Sequence, residues 1–351
     1  MVENMGQERD QNLDAVKGFA ILLVMIGHCI VWNNMADGYV YDAIKAVQMP
    51  LFMAVSGLIM GRKKINMTAG ELKRQVGKRA VSCLVPFVSW IFVMNVTDFP
   101  RKLISVLWQP DTGLWFLLTL FLLSVMLDIA LFVRDGWKLG WIGFGIAVVL
   151  EMGALCLYYL SGITFLGPAL MVNYAPFFFG GFLAGIYRAI NIAPAIKFTP
   201  AIKFTPAKQP AGKWAGRAAW LLGMVLFLFL VIRYDMVYAH TRTEWLIQLF
   251  ASAVGTIVCF CAVCALKTGG VRRFLAFLGR YTLEIYVLHF RFARILGMQD
   301  AGLSLYSLQG AGVVIAIFFL MSILTAFFIF VLKQLAITDL LLFGKVRRKP
   351  L

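Results

Sequence analysis

The sequence predicts an all-α, polytopic membrane protein, a bundle of about ten transmembrane helices with both termini in the cytoplasm. Of its 351 residues, 61% are hydrophobic and only 14% are charged, and the mean hydropathy is +0.82. A soluble globular chain is about half apolar and about a quarter charged. Apolar runs near the roughly 20 residues that cross a bilayer recur along the whole chain, separated by short basic or Gly/Pro-containing breaks.

Ten apolar runs are predicted to be spanning helices, of which the first, second and ninth are the least apolar. We expect no soluble domain at either end, so function should lie within the bundle or at its mouths. The predicted spans are 14–33, 43–60, 80–97, 113–133, 139–160, 169–187, 217–233, 244–266, 281–298 and 310–332.

The net charge of +16 follows membrane topology rather than nucleic-acid binding. With the N-terminus placed in the cytoplasm, all but seven of the 33 Lys and Arg fall on the inner side of the cell membrane. This distribution predicts that both termini lie on the cytoplasmic side. Anionic lipid headgroups then account for the charge, and no nucleic-acid partner is expected. The predicted organisation is a cytoplasmic tail (1–13), a transmembrane domain (14–333) and a basic cytoplasmic tail (334–351). The seven outer cations are Lys45, Arg101, Lys102, Arg233, Arg242, Arg291 and Arg294.

Two segments, the N-terminal residues and the break at 188–217, are not expected to take part in chemistry. Acidic and polar residues precede the first span and no small-residue cleavage pattern follows it, so we expect no cleavable signal peptide. The break at 188–217 contains the tandem repeat AIKFTPAIKFTP, in which Pro200 and Pro206 interrupt any helix. We interpret this loop as a cytoplasmic spacer that tolerates insertions.

The six cysteines all fall within predicted spans, where thiols behave as small apolar residues. Cys259, Cys261 and Cys264 form a C-x-C-x-x-C pattern that suggests a metal site. Residues two apart on a helix point in different directions, however, and paired ligands are lacking nearby. The sequence therefore predicts neither a disulfide framework nor a metal site.

The first span, LDAVKGFAILLVMIGHC, carries Asp14, Lys17 and His28 in otherwise apolar surroundings. Lys17 and His28 are eleven positions apart, three turns plus about 20°, so they share one helix face about 16 Å apart along the axis. Asp14 lies some 21 Å from His28 but is the i−3 neighbour of Lys17. Ionisable groups inside a membrane mark functional sites by default, although Lys17 alone is also typical of a snorkelling anchor.

This spacing fits an acyl donor that enters from the cytoplasm. A phosphopantetheine arm of about a dozen bonds reaches on the order of 15 to 20 Å. The phosphates of acyl-coenzyme A would stay among cytoplasmic Lys and Arg while the thioester reached the His28 imidazole. Lys73, Arg74, Lys78 and Arg79 are further candidates for those phosphates, although positive-inside topology also explains them.

Four other polar residues within predicted spans have open interpretations. Glu151 lies mid-span, which is costly unless it faces a cavity or a partner. His289 is either an acceptor contact or a helix–helix hydrogen bond. Glu284 and Arg291 are seven apart and share a helix face, which favours a structural pair.

Four stretches resemble the membrane acyltransferase-3 family, particularly its fucose 4-O-acetylase-like branch. They are LDAVKGFAILLVMIGH, MPLFMAVSGLIMG, GLWFLLTLF and FLGRYTLEIYVLHF, which together reach from residue 13 to 290. The ten predicted spans match the family's membrane domain. Two positions depart from the family: Lys17 replaces a frequent arginine, and Gln48 replaces a histidine that is frequent in this branch.

The resemblance implies O-acyl transfer, usually of acetyl from acetyl-coenzyme A, to a carbohydrate hydroxyl, with His28 catalytic. We expect His28 to be neutral at depth, because burying its charged form is costly, and to take the hydroxyl proton as the oxygen attacks the thioester. Ser56 and Trp115 are candidates for stabilising the oxyanion by motif position. An acyl-histidine intermediate is the alternative to direct transfer.

A transporter or an ion or proton pathway is the rival function, because buried His, Lys and Glu also mark such pathways. A transporter should show two matching halves with interrupted helices, and we find no such internal similarity. A non-enzymatic scaffold does not explain a basic residue and a histidine in register. The identity of the sugar or glycan acceptor, the acyl length and the oligomeric state are not readable from the sequence.

Overall fold

The computed structural model describes residues 10–36, 38–63, 65–192, 211–267, 269–299 and 301–345, with side chains described outside 188–192 and 211–214. The tandem repeat AIKFTPAIKFTP lies outside the described residues, as do residues 1–9 and 346–351 of the two predicted tails. Every regular element in the described ranges is helical, which confirms the all-α prediction. The α-helices are α1 (Gln11–Val31), α2 (Tyr39–Gly61), α3 (Ala69–Arg79), α4 (Val85–Met94), α5 (Phe99–Trp108), α6 (Trp115–Asp135), α7 (Gly140–Leu160), α8 (Pro168–Ile192), α9 (Ala211–Arg233), α10 (Arg242–Ala265), α11 (Gly270–Arg280), α12 (Thr282–Leu288), α13 (Leu308–Leu332) and α14 (Ala336–Phe343).

Nine helical segments within the described ranges are long and apolar enough to cross a membrane. They correspond to nine of the ten predicted spans, and a π-helical turn at Ala80–Leu84 joins α3 and α4 into one of them. The first begins earlier than predicted, at Gln11, because the Asp10 carboxylate caps the helix by accepting a 2.9 Å hydrogen bond from the Asn12 amide. The chain is thus a polytopic membrane protein.

The predicted ninth span, 281–298, is not one continuous helix. Helix α12 is seven residues long and is followed by a 3-10 turn at His289–Phe292 and by irregular backbone. Seven residues cover only about 10 Å, a third of the bilayer core. The break leaves carbonyl groups without intrahelical partners, and tertiary contacts satisfy them. Asn33 donates to the Ala293 carbonyl and Asn34 donates to the Gln299 carbonyl, each at 2.8 Å. An apolar run in the sequence does not reveal such a break, because these contacts come from distant residues.

The described chain divides into two compact units. The first comprises Met1–Val55 and Ile190–Thr325, and within it α1 packs against α10, α11 and α12. Its tightest crossing is between α1 and α11. A Cβ at Gly18 would overlap the Leu275 carbonyl, and one at Gly279 would overlap that of Asp14. Glycine at these two positions lets the two backbones touch.

This crossing aligns the broken segment with α1. Gly279 lies at Asp14, near the start of α1, whereas Ala293 is hydrogen-bonded to Asn33, just beyond its end. The chain from α11 onward therefore follows α1 from one end to the other, as α12, a 3-10 turn and irregular backbone.

The second unit comprises Ser56–Ala189 and Ala326–Leu351. Within it α6 packs against α7 and α3, and α14 packs against α4. The Trp90 indole donates a 2.8 Å hydrogen bond to the Leu342 carbonyl, and Phe343 is completely buried. Residues 336–343, predicted as part of a basic tail, are thus a packed helix of this unit.

Helix α1 should not tolerate a side chain at its crossing with α11. We predict that Gly18→Ala lowers the apparent free energy of unfolding by about 1–3 kcal/mol, because the new methyl group meets backbone rather than a movable side chain. Thermal unfolding in detergent, followed by size-exclusion chromatography, measures this. The matched control is Gly153→Ala in α7, where a Cβ meets nothing within 4 Å. Equal stability of the two variants would contradict the close crossing.

Candidate active site

The polar face of α1 has the geometry that the sequence predicts. Lys17 and His28 lie on one uninterrupted helix, so their eleven-residue separation is about 16 Å along its axis. The Lys17 ammonium forms a 2.7 Å ion pair with the Asp14 carboxylate, whose side chain is only 5% exposed. The cation at the start of α1 is therefore already partnered, and a phosphate there would share Lys17 with Asp14.

His28 lies between two aromatic rings. Its imidazole meets that of His289 edge to face, with the ring centroids 5.0 Å apart at an angle of 74°. On its own helix it stacks on Trp32, with centroids 6.1 Å apart and an interplanar angle of 17°. The His28 Nδ1 atom is buried and has no hydrogen-bond partner.

His289 is 1% exposed and held by the end of α12. Its Nδ1 lies 2.8 Å from the Ile285 carbonyl oxygen. A carbonyl only accepts, so Nδ1 carries a proton, and the Nε2 of the neutral ring then carries a lone pair. Nε2 is buried and has no hydrogen-bond partner. The two histidines are 261 positions apart in the chain, which explains why no sequence pattern predicts that they meet.

The expected pairing of Glu284 with Arg291 assumed a continuous helix. Helix α12 ends at Leu288, so the seven-residue spacing no longer places the two on one face. Glu284 is completely buried, whereas Arg291 is exposed and lies over the Phe290 ring at 5.3 Å.

Two residues near the His28 end of α1, Arg294 and Asn33, support this arrangement and were not singled out from the sequence. The Arg294 guanidinium lies 4.3 Å above the Trp32 ring, a cation–π contact on the indole that also stacks on His28. Asn33 is 1% exposed and donates to the Cys29 and Ala293 carbonyls, both at 2.8 Å. Together these contacts hold the turn after His289 against α1.

Helix α2 places two polar side chains, Lys45 and Gln48, near His28. A Cβ at Gly27 would lie 3.2 Å from Ile44 and 2.9 Å from the Gln48 Oε1 atom, so this face of α2 packs directly on α1 beside His28. Lys45, which follows Ile44 on α2, interacts electrostatically with the His28 imidazole. Gln48 is 7% exposed, and its Oε1 is buried with no hydrogen-bond partner. From the sequence, Lys45 was identified only as one of the seven cations predicted on the outer side.

The cations predicted to bind coenzyme A phosphates differ in their surroundings within the second unit. Arg79 makes two hydrogen bonds, of 2.7 and 2.8 Å, to the completely buried Asp128 carboxylate. Arg74 pairs with Glu71 one turn earlier, while Lys73 and Lys78 are exposed. Arg79 is therefore engaged in a structural ion pair, whereas Lys73, Arg74 and Lys78 are exposed.

Lys63, just beyond α2, lies near these cations. Burial lowers the pKa of its ammonium, and the neighbouring Arg79 and Lys78 lower it further, whereas Asp128 acts in the opposite direction. This end of the second unit thus concentrates positive charge around one buried carboxylate.

The other predicted site residues also belong to the second unit. Trp115 opens α6 and stacks on Tyr174, with centroids 5.1 Å apart. Ser56 is half-buried on α2. Glu151 lies on the α7 face that carries the buried Ala147 and Leu155, and neither of its carboxyl oxygens has a hydrogen-bond partner. Among the described residues, no group of three or more His, Cys, Asp or Glu is arranged to hold a metal ion.

The comparisons with known proteins agree with the motifs. The family model described as "Acyltransferase domain", that of acyltransferase family 3, matches residues 10–332. The chain belongs to this acyltransferase family. Likeness to its fucose 4-O-acetylase-like branch rests on the sequence motifs.

Two nodulation proteins are among the relatives of this acyltransferase. Nodulation protein NolL of Sinorhizobium fredii is 29% identical over 197 residues, which cover 50% of this chain and 48% of the relative. Nodulation protein NolL of Mesorhizobium japonicum is 30% identical over 109 residues, 27% of each chain. The chain thus spans about half of one curated relative and about a quarter of the other. No solved structure matches it.

The Arg79–Asp128 contact generates a test of what Arg79 does. We predict that Arg79→Met lowers the apparent free energy of unfolding by about 3–5 kcal/mol, because it leaves the Asp128 carboxylate buried without its partner. Lys78→Met, at the exposed neighbouring position, should change it by less than about 0.5 kcal/mol. Thermal unfolding of both variants in detergent measures the difference. If Arg79→Met were as stable as the wild type, Arg79 would be free to act chiefly as a phosphate ligand.

Proposed function

We propose that this acyltransferase is an O-acetyltransferase of the cytoplasmic membrane. It moves an acetyl group from cytosolic acetyl-coenzyme A to a carbohydrate hydroxyl at or beyond the outer face. Family membership supports acyl transfer. The observation that carries the site is the contact between the His28 and His289 imidazoles. It lies about 16 Å along α1 from Lys17, a cation on the same helix face as His28.

The donor would lie along α1. The reach of a phosphopantetheine arm, on the order of 15 to 20 Å, matches the separation of about 16 Å between Lys17 and His28. Lys17 would contact the coenzyme A phosphates, with Lys73, Arg74 and Arg79 as further candidate contacts. Lys73 is exposed, whereas Arg74 and Arg79 already have carboxylate partners.

The reaction is a direct exchange of a thioester for an ester. The His28 imidazole takes the proton of the acceptor hydroxyl as the hydroxyl oxygen attacks the thioester carbonyl carbon. A carbon–oxygen bond forms and the carbon–sulfur bond breaks, and the departing coenzyme A thiolate then receives the proton from the imidazolium. A positioned base of this kind contributes about 10²- to 10⁴-fold. In the alternative, His28 first accepts the acetyl group and passes it to the hydroxyl.

The remaining candidates have roles proposed from their motif positions or chemistry. Ser56 and Trp115 can each donate a hydrogen bond to the oxyanion that forms at the carbonyl. Glu151 is proposed as an acceptor contact, because a carboxyl group with no hydrogen-bond partner at that depth can bind hydroxyl groups. The sugar class rests on the resemblance to the fucose 4-O-acetylase-like branch.

His28 is the first residue to test. We expect His28→Ala to lower O-acetylation of cell-surface glycans by about 10²-fold or more, as loss of a general base does. Mass spectrometry of glycans from cells that express each variant measures this, with cells lacking the protein as the baseline. His240→Ala is the matched control, because His240 is exposed in the connection between α9 and α10. Unchanged acetylation by well-expressed His28→Ala protein would remove the catalytic assignment.

Lys17 requires a test that respects its ion pair. A single Lys17 replacement removes the ion-pair partner of the buried Asp14 carboxylate, so we propose the double variant Asp14→Asn/Lys17→Met, which removes both charges. It should weaken acetyl-coenzyme A binding roughly tenfold through the lost charge-assisted contact, measured by calorimetry in detergent. Asp14→Asn alone keeps the cation and should bind at least as well as the wild type. Equal binding by the double variant would leave Lys17 as a membrane anchor only.

A further inference from the structure

Two buried nitrogens in the first unit lack a hydrogen-bond partner and belong to neighbouring rings. They are Nδ1 of His28 and Nε2 of His289, whose ring centroids are 5.0 Å apart. Leaving a buried polar atom unpaired costs free energy, so each such atom in a folded protein requires an explanation. One explanation is that the two atoms are partners for each other in the working state.

The tautomer of His289 makes the two nitrogens complementary. Because His289 Nδ1–H donates to the Ile285 carbonyl, Nε2 is an acceptor in the neutral ring. The matching donor would be His28 Nδ1–H, which leaves the lone pair of His28 on its Nε2. At this centroid distance, a modest rotation of the two edge-to-face rings would bring a nitrogen of each to about 3 Å, the length of a hydrogen bond. Catalytic hydrogen bonds are often poorly aligned in the absence of substrate.

We propose that His289 is the positioning residue of His28. The chain of contacts runs from the Ile285 carbonyl to His289 Nδ1–H, and from His289 Nε2 to His28 Nδ1–H, which leaves His28 Nε2 as the base that faces the acceptor hydroxyl. When His28 takes the hydroxyl proton, the bond to His289 stabilises the imidazolium. This assignment rests on the proposed catalytic role of His28.

The surrounding charges explain why a second imidazole suits this position. Lys45 of α2 interacts with His28, and the Arg294 guanidinium lies beyond Trp32. Both are cations, and the charge of Lys45 disfavours the His28 imidazolium by repulsion. A neutral His289 supplies an acceptor for the His28 proton without adding a buried charge, which would be expensive at membrane depth. The break between α12 and the following 3-10 turn places the ring there, because His289 is the first residue of the turn.

The decisive variants keep or remove the acceptor at position 289. His289→Phe retains a ring but no lone pair, whereas His289→Gln retains a side-chain carbonyl oxygen that can accept from His28. In native membrane vesicles supplied with acetyl-coenzyme A, we expect His289→Phe to lower the maximal rate of thiol release by about 100-fold or more, since loss of the correct tautomer of a base costs at least this much. The KM for acetyl-coenzyme A should change by less than about twofold, and His289→Gln should recover at least about tenfold over His289→Phe. The same changes at the exposed His240 are the controls.

A spectroscopic measurement separates this proposal from the proposed function. The chain has three histidines, so ¹⁵N-histidine NMR of the full-length protein in nanodiscs resolves each ring. We expect His28 in the Nδ1–H tautomer in the wild type and a shift toward the Nε2–H tautomer in His289→Phe. An Nε2–H tautomer of His28 in the wild type, or equal rates for the Phe and Gln variants, would overturn the positioning role even if His28→Ala is inactive. Activity in His28→Ala would instead overturn the proposed function and leave the tautomer result standing.

Discussion

The close crossing of α1 and α11 is the contact on which the first unit depends. Glycines at positions 18 and 279 let two backbones meet where any Cβ would overlap a carbonyl group of the other helix. That contact sets the register of everything that follows α11. Because the chain then runs beside α1, His289 arrives at His28 and Ala293 arrives at Asn33. A precise backbone contact near one end of α1 thus determines side-chain geometry near the other.

Polar groups within the apolar segments fall into two kinds. Some are neutralised by a local or long-range partner: Asp14 by Lys17, and Asp128 by the two-point contact of Arg79. Such pairs offset much of the cost of burying each charge, and they are typical of structure. The two imidazoles instead keep nitrogens without hydrogen-bond partners. Because unpaired buried atoms are costly, their persistence favours a role in chemistry.

The broken segment after α11 shows how a membrane protein positions such groups. A continuous helix would use its carbonyl groups internally, whereas the 3-10 turn and irregular backbone at 289–299 leave carbonyls for Asn33 and Asn34 to bind. Irregular backbone at membrane depth is tolerated where protein surrounds it. The break fixes the His289 ring through the Ile285 carbonyl and therefore fixes which of its nitrogens carries the proton.

The sequence by itself determined the all-α membrane fold, nine of the spanning helices and the shared face of Lys17 and His28, because hydropathy and helical periodicity are local properties. Its motifs also identified the family. Only the tertiary structure decided that His28 meets His289, that Arg79 is held by Asp128, that Lys45 and Gln48 lie beside α1 and that the predicted ninth span is broken. Each of these depends on contacts between residues that are distant in the chain, and a single sequence carries no pattern that specifies them.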